Sequence, residues 1–280
     1  MIAYDTHIHS AFSTDSSTPL WKQLDQAVLC GLQGVCLTDH MDYGFPEDQY
    51  DTPLPEGEVP FLLDIDSYKK ELQEQRISYP DLQIFTGVEC GLQTRRDIVA
   101  KNEELSADPS FDYIIGSLHL TGRRDPYYKD FWKDRDPSRC VRDYMEEMYD
   151  NLCTFTNFDS LGHLDYIVRY APEHFHYKPM EYRDILEEII KVLINKDIAL
   201  EVNTSGYKSS PYPNPHPDIL ALYHQLGGEM ITIGSDAHEP KFLACRFEKL
   251  PSLIKKAGLR QYVTFRGRRP QFHTLDQEDL

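Results

Sequence analysis

Short runs rich in aliphatic and β-branched residues recur along the chain, and each ends in a polar or charged cluster. They span Ile2–His9, Gly34–His40, Gln83–Gly91, Asp112–His119, Phe158–Tyr166, Ile198–Thr204 and Met230–Asp236. Apolar runs of this length with such boundaries predict buried β-strands. The intervening segments Leu20–Gly31, Ile65–Ser78, Ser138–Thr156, Tyr182–Lys196 and Pro217–Leu226 predict helices. In one of them Ile185, Ile189, Val192 and Leu193 repeat at the helical period. Strand–helix alternation implies an α/β fold with a mainly parallel sheet. About seven repeats point to closure into a barrel, with a doubly wound open sheet as the alternative.

No composition break divides residues 1–280, so a single domain is expected, and no internal repeat is visible. Two polar stretches, Asp42–Pro60 and Thr121–Pro137, each follow a strand end, where barrel loops shape active sites. No apolar run reaches the roughly 18 residues that span a bilayer. The first residues lack the basic-then-apolar pattern of a signal peptide, so a cytoplasmic protein with no membrane partner is expected. A formal charge of −17 argues against a protein that grips nucleic acid by its general surface. The six cysteines, with no Cys-x-x-Cys pair, suit free thiols in a reducing compartment. Nothing here sets the oligomeric state.

The chemistry lies in where His, Asp and Glu fall. Asp5-Thr6-His7-Ile8-His9 ends the first strand, and His two residues apart project from one side of it. Asp39-His40 ends the second, Glu89 the third and His119 the fourth. His163 and Asp165 end the fifth, Asp236 and His238 follow the last, and Asp15 lies in the loop after the first. A single His at a strand end is more often structural than a ligand. A parallel barrel, however, brings all these ends to one rim, where so many imidazoles and carboxylates are costly without cations. The mixed nitrogen and oxygen donors suit Zn²⁺, Mn²⁺ or Fe²⁺ rather than a Ca²⁺ cage or a thiolate site.

These residues resemble the polymerase-and-histidinol-phosphatase (PHP) family, its histidinol-phosphatase branch in particular. The resemblance rests on Asp5-Thr6-His7-Ile8-His9-Ser10, Leu37-Thr38-Asp39-His40, Gly87-Val88-Glu89 and Gly116-Ser117-Leu118-His119. It continues through Gly162-His163-Leu164-Asp165, Glu201-Val202-Asn203-Thr204-Ser205-Gly206 and Ile233-Gly234-Ser235-Asp236-Ala237-His238. The family implies a distorted (β/α)₇ barrel with three divalent metal ions at the C-terminal ends of the strands. On that pattern His7, His9, Glu89 and Asp236 would hold one ion. Glu89 would bridge to a second, with His119 and His163, while Asp15, His40 and His238 would hold the third. Some family members have His where this chain has Asp15, which changes the charge of the third site.

The resemblance implies hydrolysis of L-histidinol phosphate to L-histidinol and phosphate, by a metal-activated water, in histidine biosynthesis. Asp15 or His238 would assist proton transfer. Arg169 would meet the phosphate, a bidentate contact suited to a guanidinium, with a plain surface role as the alternative. Glu201 and Asn203 alternate along the sixth strand and should face one side. They would bind the ammonium or imidazole of the substrate, or support the ligands. Arg95, Arg96, Arg123 and Arg124 read as loop charges, and His174, His176, His216, His224 and His273 match no ligand position. A phosphoesterase acting on nucleotides or nucleic-acid ends is the runner-up, and a non-catalytic metal-binding module the third reading. The partner expected is a small phosphate monoester.

Overall fold

The strands that build the molecule are buried on both faces, as parallel strands sheathed by helices must be. The structure, a computed structural model, describes residues 2–45 and 59–275. Its elements run β1 (Tyr4–Ile8), α1 (Leu20–Leu29), β2 (Gly34–Leu37), β3 (His40–Met41), α2 (Ile65–Ser78), β4 (Gln83–Gly91), α3 (Arg96–Ser106) and β5 (Tyr113–Ser117). There follow α4 (Lys129–Trp132), α5 (Pro137–Thr154), β6 (Ser160–Leu161), α6 (Arg183–Asn195), β7 (Ala199–Asn203), α7 (Pro217–Gln225), β8 (Ile231–Gly234) and α8 (Leu250–Lys256). A hairpin of β9 (Gln261–Arg266) and β10 (Arg269–Thr274) comes last.

The parallel sheet has the order β1-β2-β4-β5-β6-β7-β8, with β3 pairing to β4. The sheet nearly closes. Past the end of β8, Asp236 N–H donates to His7 O at 2.7 Å, and His9 N–H donates to Ala237 O at 3.0 Å. Asp5, fully buried, ties the same seam by accepting from Ser235 N at 2.9 Å and Ala244 N at 3.0 Å. The barrel alternative thus prevails over the open sheet.

Helices cover the barrel with one apolar stripe each. α6 buries Leu186, Ile189, Ile190 and Leu193, which are three or four residues apart and so share a face. α5 starts where Asp136 accepts from Ser138 N–H and Pro137 opens the first turn, two ordinary start signals. No helix among the described residues is long and apolar enough to cross a membrane.

Several elements differ from the sequence expectation. The strand expected over Phe158–Tyr166 is only Ser160–Leu161, followed by a 3₁₀ turn at Tyr166–Tyr170. His163 N–H leaves the ladder and donates to Glu201 Oε2 at 2.8 Å, which ends the strand. Helices α3, α4 and α8 and the final hairpin lie outside the expected elements. Helix α3 carries only Ile98, Asn102, Leu105 and Ser106 as buried residues among many charges, too thin a stripe to stand out. The hairpin is pinned to the sheet by Arg268, whose Nε lies 2.5 Å from Asp159 Oδ2. Of the polar stretch Asp42–Pro60, residues 46–58 lie outside the described residues.

Candidate metal centre

Every parallel strand delivers its C-terminal end to one rim, and there the predicted ligand residues meet. Glu89, fully buried on β4, is the hub. Its Oε2 lies 3.1 Å from His7 Nε2, 3.3 Å from His9 Nε2 and 3.1 Å from His40 Nδ1. Its Oε1 lies 3.3 Å from His119 Nε2 and 3.0 Å from His163 Nε2. Asp236 Oδ1 closes the first group, 3.9 Å from His7 Nε2 and 3.5 Å from His9 Nε2. Asp15 Oδ2 stands 3.0 Å from His238 Nε2 and 3.7 Å from His40 Nε2. The His9 ring stacks between those of His40 and His238, with centroids 4.3 and 4.1 Å away.

Supporting carboxylates aim these rings. His7 Nδ1 lies 2.6 Å from Glu201 Oε1, and His119 Nδ1 lies 2.6 Å from Asp42 Oδ2. A carboxylate behind an imidazole selects its tautomer and raises its basicity as a ligand. His9 Nδ1 lies 3.0 Å from Ser13 Oγ, and that hydroxyl donates to Asp39 Oδ1 at 2.8 Å. Asp39 also accepts from Ser10 N–H at 2.6 Å, so it shapes the whole loop after β1. Asp236 takes φ +54°, a left-handed conformation that Asp tolerates better than most side chains.

The electrostatics couple the carboxylates to the imidazoles. Burial alone would push the Glu89 carboxyl up, yet His7, His40 and His119 hold it well below the usual range. Burial, with His238 and His40 adding repulsion, holds His9 well below an ordinary histidine, although Glu89 opposes this. Burial opposes charge on His7 too, but Glu201, Glu89 and Asp236 raise it well above the ordinary value.

The residues fit a metal. Two donors on a tetrahedral ion with bonds of about 2.1 Å stand about 3.4 Å apart, and the separations around Glu89, 3.0 to 3.3 Å, fall a little below that value. The groups His7–His9–Glu89, Glu89–His119–His163 and His9–His40–His238 each place their donor atoms within 4.8 Å of one another. His40 Nδ1 and His238 Nε2 sit near carboxylate oxygens without an aligned hydrogen bond. Lone pairs directed at a common point between atoms, rather than along an N–H axis, produce that arrangement.

The centre forms the floor of a cavity of about 830 Å³, which Asp15, His40, Glu89, His119, His163, Arg169, Asp236 and His238 help to line. Arg169 donates through Nη2 to Ser205 Oγ, lies 3.6 Å from Asp236 Oδ2 and stacks 5.1 Å from the Tyr166 ring. The surface alternative for Arg169 is therefore set aside: its side chain is 12% exposed and faces the cavity.

Glu201 and Asn203 do share one side of β7, as expected, but both are fully buried beneath the cavity. Glu201 spends its oxygens on His7, on His163 N–H and on Asn203 Nδ2 at 3.1 Å. Asn203 Oδ1 accepts from Ser205 N–H at 3.0 Å. Their hydrogen bonds suit ligand support, the second of the two expected roles, and neither residue lines the cavity. Sequence reasoning gave Asp42 no role beyond opening a polar loop two residues after His40; Asp165, singled out at the fifth strand end, accepts from Asn214 Nδ2 at 2.6 Å and His216 N–H at 2.9 Å.

Comparison with known proteins follows the same lines. A family model described as PHP domain matches residues 5–205. The chain is 33% identical to a histidinol-phosphatase of Lactococcus lactis, with 94% of each chain covered. It is 30% identical to a probable histidinol-phosphatase of Clostridium acetobutylicum, covering 92% of this chain and 95% of that one. Among solved structures it resembles the Lactococcus lactis histidinol phosphate phosphatase, in complex with zinc, L-histidinol and phosphate. That likeness has a TM-score of 0.84 and 31% identity over 96% of this chain and 98% of the other. A putative histidinol phosphatase from Listeria monocytogenes, 17% identical, shares the fold with a TM-score of 0.76 over 88% of this chain and 99% of the other.

Proposed function

Since the chain belongs to the PHP family, we propose that it is a metal-dependent phosphomonoesterase that hydrolyses L-histidinol phosphate to L-histidinol and phosphate. One observation carries the reading: eight strand-end donors and Asp15 from the first loop converge at a cavity that also holds a half-buried arginine. A relative of matching length and fold binds zinc, L-histidinol and phosphate, which supports the same substrate here.

In this reading the site holds three divalent ions drawn from Zn²⁺, Mn²⁺ or Fe²⁺. His7, His9, Glu89 and Asp236 bind one, Glu89 with His119 and His163 a second, and Asp15, His40 and His238 a third. Divalent ions so held supply positive charge to a phosphate dianion and lower the pKa of a water nucleophile. The protein contributes the rest. Glu201 and Asp42 fix His7 and His119 in one orientation. Arg169 takes the phosphate oxygens through its planar donors, its charge preserved against burial by Asp236. Asp15 and His238 face the cavity and would position the water that protonates the departing alkoxide: burial opposes charge on Asp15, yet His40 and His238 hold its carboxyl well below the usual range, so it accepts from that water. The soluble product alcohol then leaves through the open cavity mouth.

Phosphate release from L-histidinol phosphate, measured against nucleotides and sugar phosphates with each metal in turn, tests the reading. L-histidinol phosphate is expected to give the highest kcat/KM. Arg169→Ala should lower kcat/KM about tenfold to a hundredfold for every phosphate ester, matching a charged contact of about 1.5–3 kcal/mol. A nucleotide as best substrate, or an Arg169→Ala enzyme of normal activity, would overturn the substrate or the clamp respectively.

A further inference from the structure

Asp125 differs from the other carboxylates of the cavity. Asp15, Glu89 and Asp236 face imidazoles, and Asp42 is engaged with His119. Asp125 lines the same cavity and is only 9% exposed. Its Oδ1 accepts the Tyr127 N–H at 2.8 Å, and among the described residues it joins no ion pair. His119 and Asp42, of opposite sign, are the charged groups that act on it, and burial pushes its carboxyl up to about 6. A buried carboxylate without a cation is costly, and that cost falls if the ligand brings one.

The backbone leading into Asp125 is shaped by its hydrogen bonds. Asp125 follows a tight turn in which Thr121 N–H donates to Arg124 O at 2.8 Å and Arg124 N–H donates to Thr121 O at 3.1 Å. Gly122 and Arg123, at the tip, both have positive φ, +56° and +62°, the signature of a twist-matched two-residue hairpin turn.

Beside it runs a wall of rings. Tyr166 lies 5.7 Å from His119, Tyr170 lies 5.2 Å from Tyr166, and Tyr127 lies 5.4 Å from Tyr170. Arg169 stacks against this wall at Tyr166 and Tyr170. The cavity therefore offers a cation, Arg169, and an anion, Asp125, separated by aromatic faces that also attract cations. A ligand that carries both a phosphate dianion and an organic cation complements both charges.

We propose that Asp125 is a specificity-determining residue that receives the ammonium group of an amino-alcohol phosphate, with Tyr166, Tyr170 and Tyr127 as the apolar wall along its carbon skeleton. The assignment rests on the reading of L-histidinol phosphate as substrate and adds the group that tells it from a neutral phosphate ester.

The test compares metal-loaded wild type and Asp125→Asn on L-histidinol phosphate and on the same ester lacking the amine. Asp125→Asn should lose about tenfold to a hundredfold in kcat/KM on the amine-bearing ester, mostly through KM, and less than about twofold on the amine-free one. Wild type should prefer the amine-bearing ester by a similar factor, a measurement that needs no variant to fold. Equal losses on both esters, no loss at all, or a wild type indifferent to the amine would overturn the Asp125 assignment. A wild type that ranks nucleotides or sugar phosphates above L-histidinol phosphate overturns the substrate reading instead. The two failures are thus read from separate measurements.

Discussion

Glu89 shares two oxygens among five imidazoles, His7, His9 and His40 on one side and His119 and His163 on the other. A carboxylate in that position can join two cations, and its charge offsets both. Glu89→Gln keeps the shape and removes the charge. Metal content should fall and turnover should drop by more than about a hundredfold, beyond the 10–100-fold typical of supporting residues. Circular dichroism should report an intact fold. Full metal content with near-normal turnover would remove Glu89 from the bridging position. Glu201 acts one step further out, through His7 Nδ1 at 2.6 Å. Glu201→Gln should weaken metal affinity about tenfold to a hundredfold in a metal titration while leaving KM for a fully loaded enzyme nearly unchanged. A change confined to KM would return Glu201 to the substrate-binding role expected from its sequence.

The elements bring the donors together only because particular glycines let strands approach. Gly234, the last residue of β8, faces β1 so closely that a Cβ there would meet His7 Cβ and lie 2.6 Å from Glu201 Oε1. Neither neighbour has room to yield, since both are buried at 0% exposure and hydrogen-bonded to each other. Gly234→Ala should therefore destabilise the protein by about 1–3 kcal/mol, the usual cost of overpacking. It should also displace His7 and lower metal content. Chemical denaturation together with metal analysis checks both, and a variant with unchanged denaturation midpoint and metal content would show that the seam is more compliant than its contacts indicate. Gly162 serves β6 similarly, because a Cβ at that position would collide with Ser117 Oγ.

At the scale of the whole molecule, the barrel gathers acidic and imidazole groups whose removal from water opposes folding, a cost that bound cations would offset. Ions that bind the folded state alone stabilise it by mass action, about 2.7 kcal/mol for each site at a hundredfold excess over Kd. Stripping the metals with a chelator should lower Tm by several degrees, and refilling should restore Tm and activity together. A Tm indifferent to chelation would mean that hydrogen bonds alone hold the rim.

The sequence by itself determined the strand ends and the residue types they carry. His7 and His9, two apart on one strand, share a side whatever surrounds them, because the period of an extended chain is local. The parallel α/β barrel was legible for the same reason: five of the helices and most strands carry their own apolar pattern, whereas α3, α4 and α8 do not. What the tertiary structure decided involves partners far apart in sequence. Glu201 lies 194 positions from His7, and its distance to that ring, not its alternation on β7, directs it behind a ligand and away from substrate. Asp42 and Asp125 acquire meaning only when a histidine or an aromatic wall from another loop arrives beside them. The brevity of β6 follows from His163 N–H finding Glu201 in place of a neighbouring strand. Periodicity specifies which way a side chain points from its own backbone, whereas charge pairing across the rim depends on distances that only the closed barrel sets.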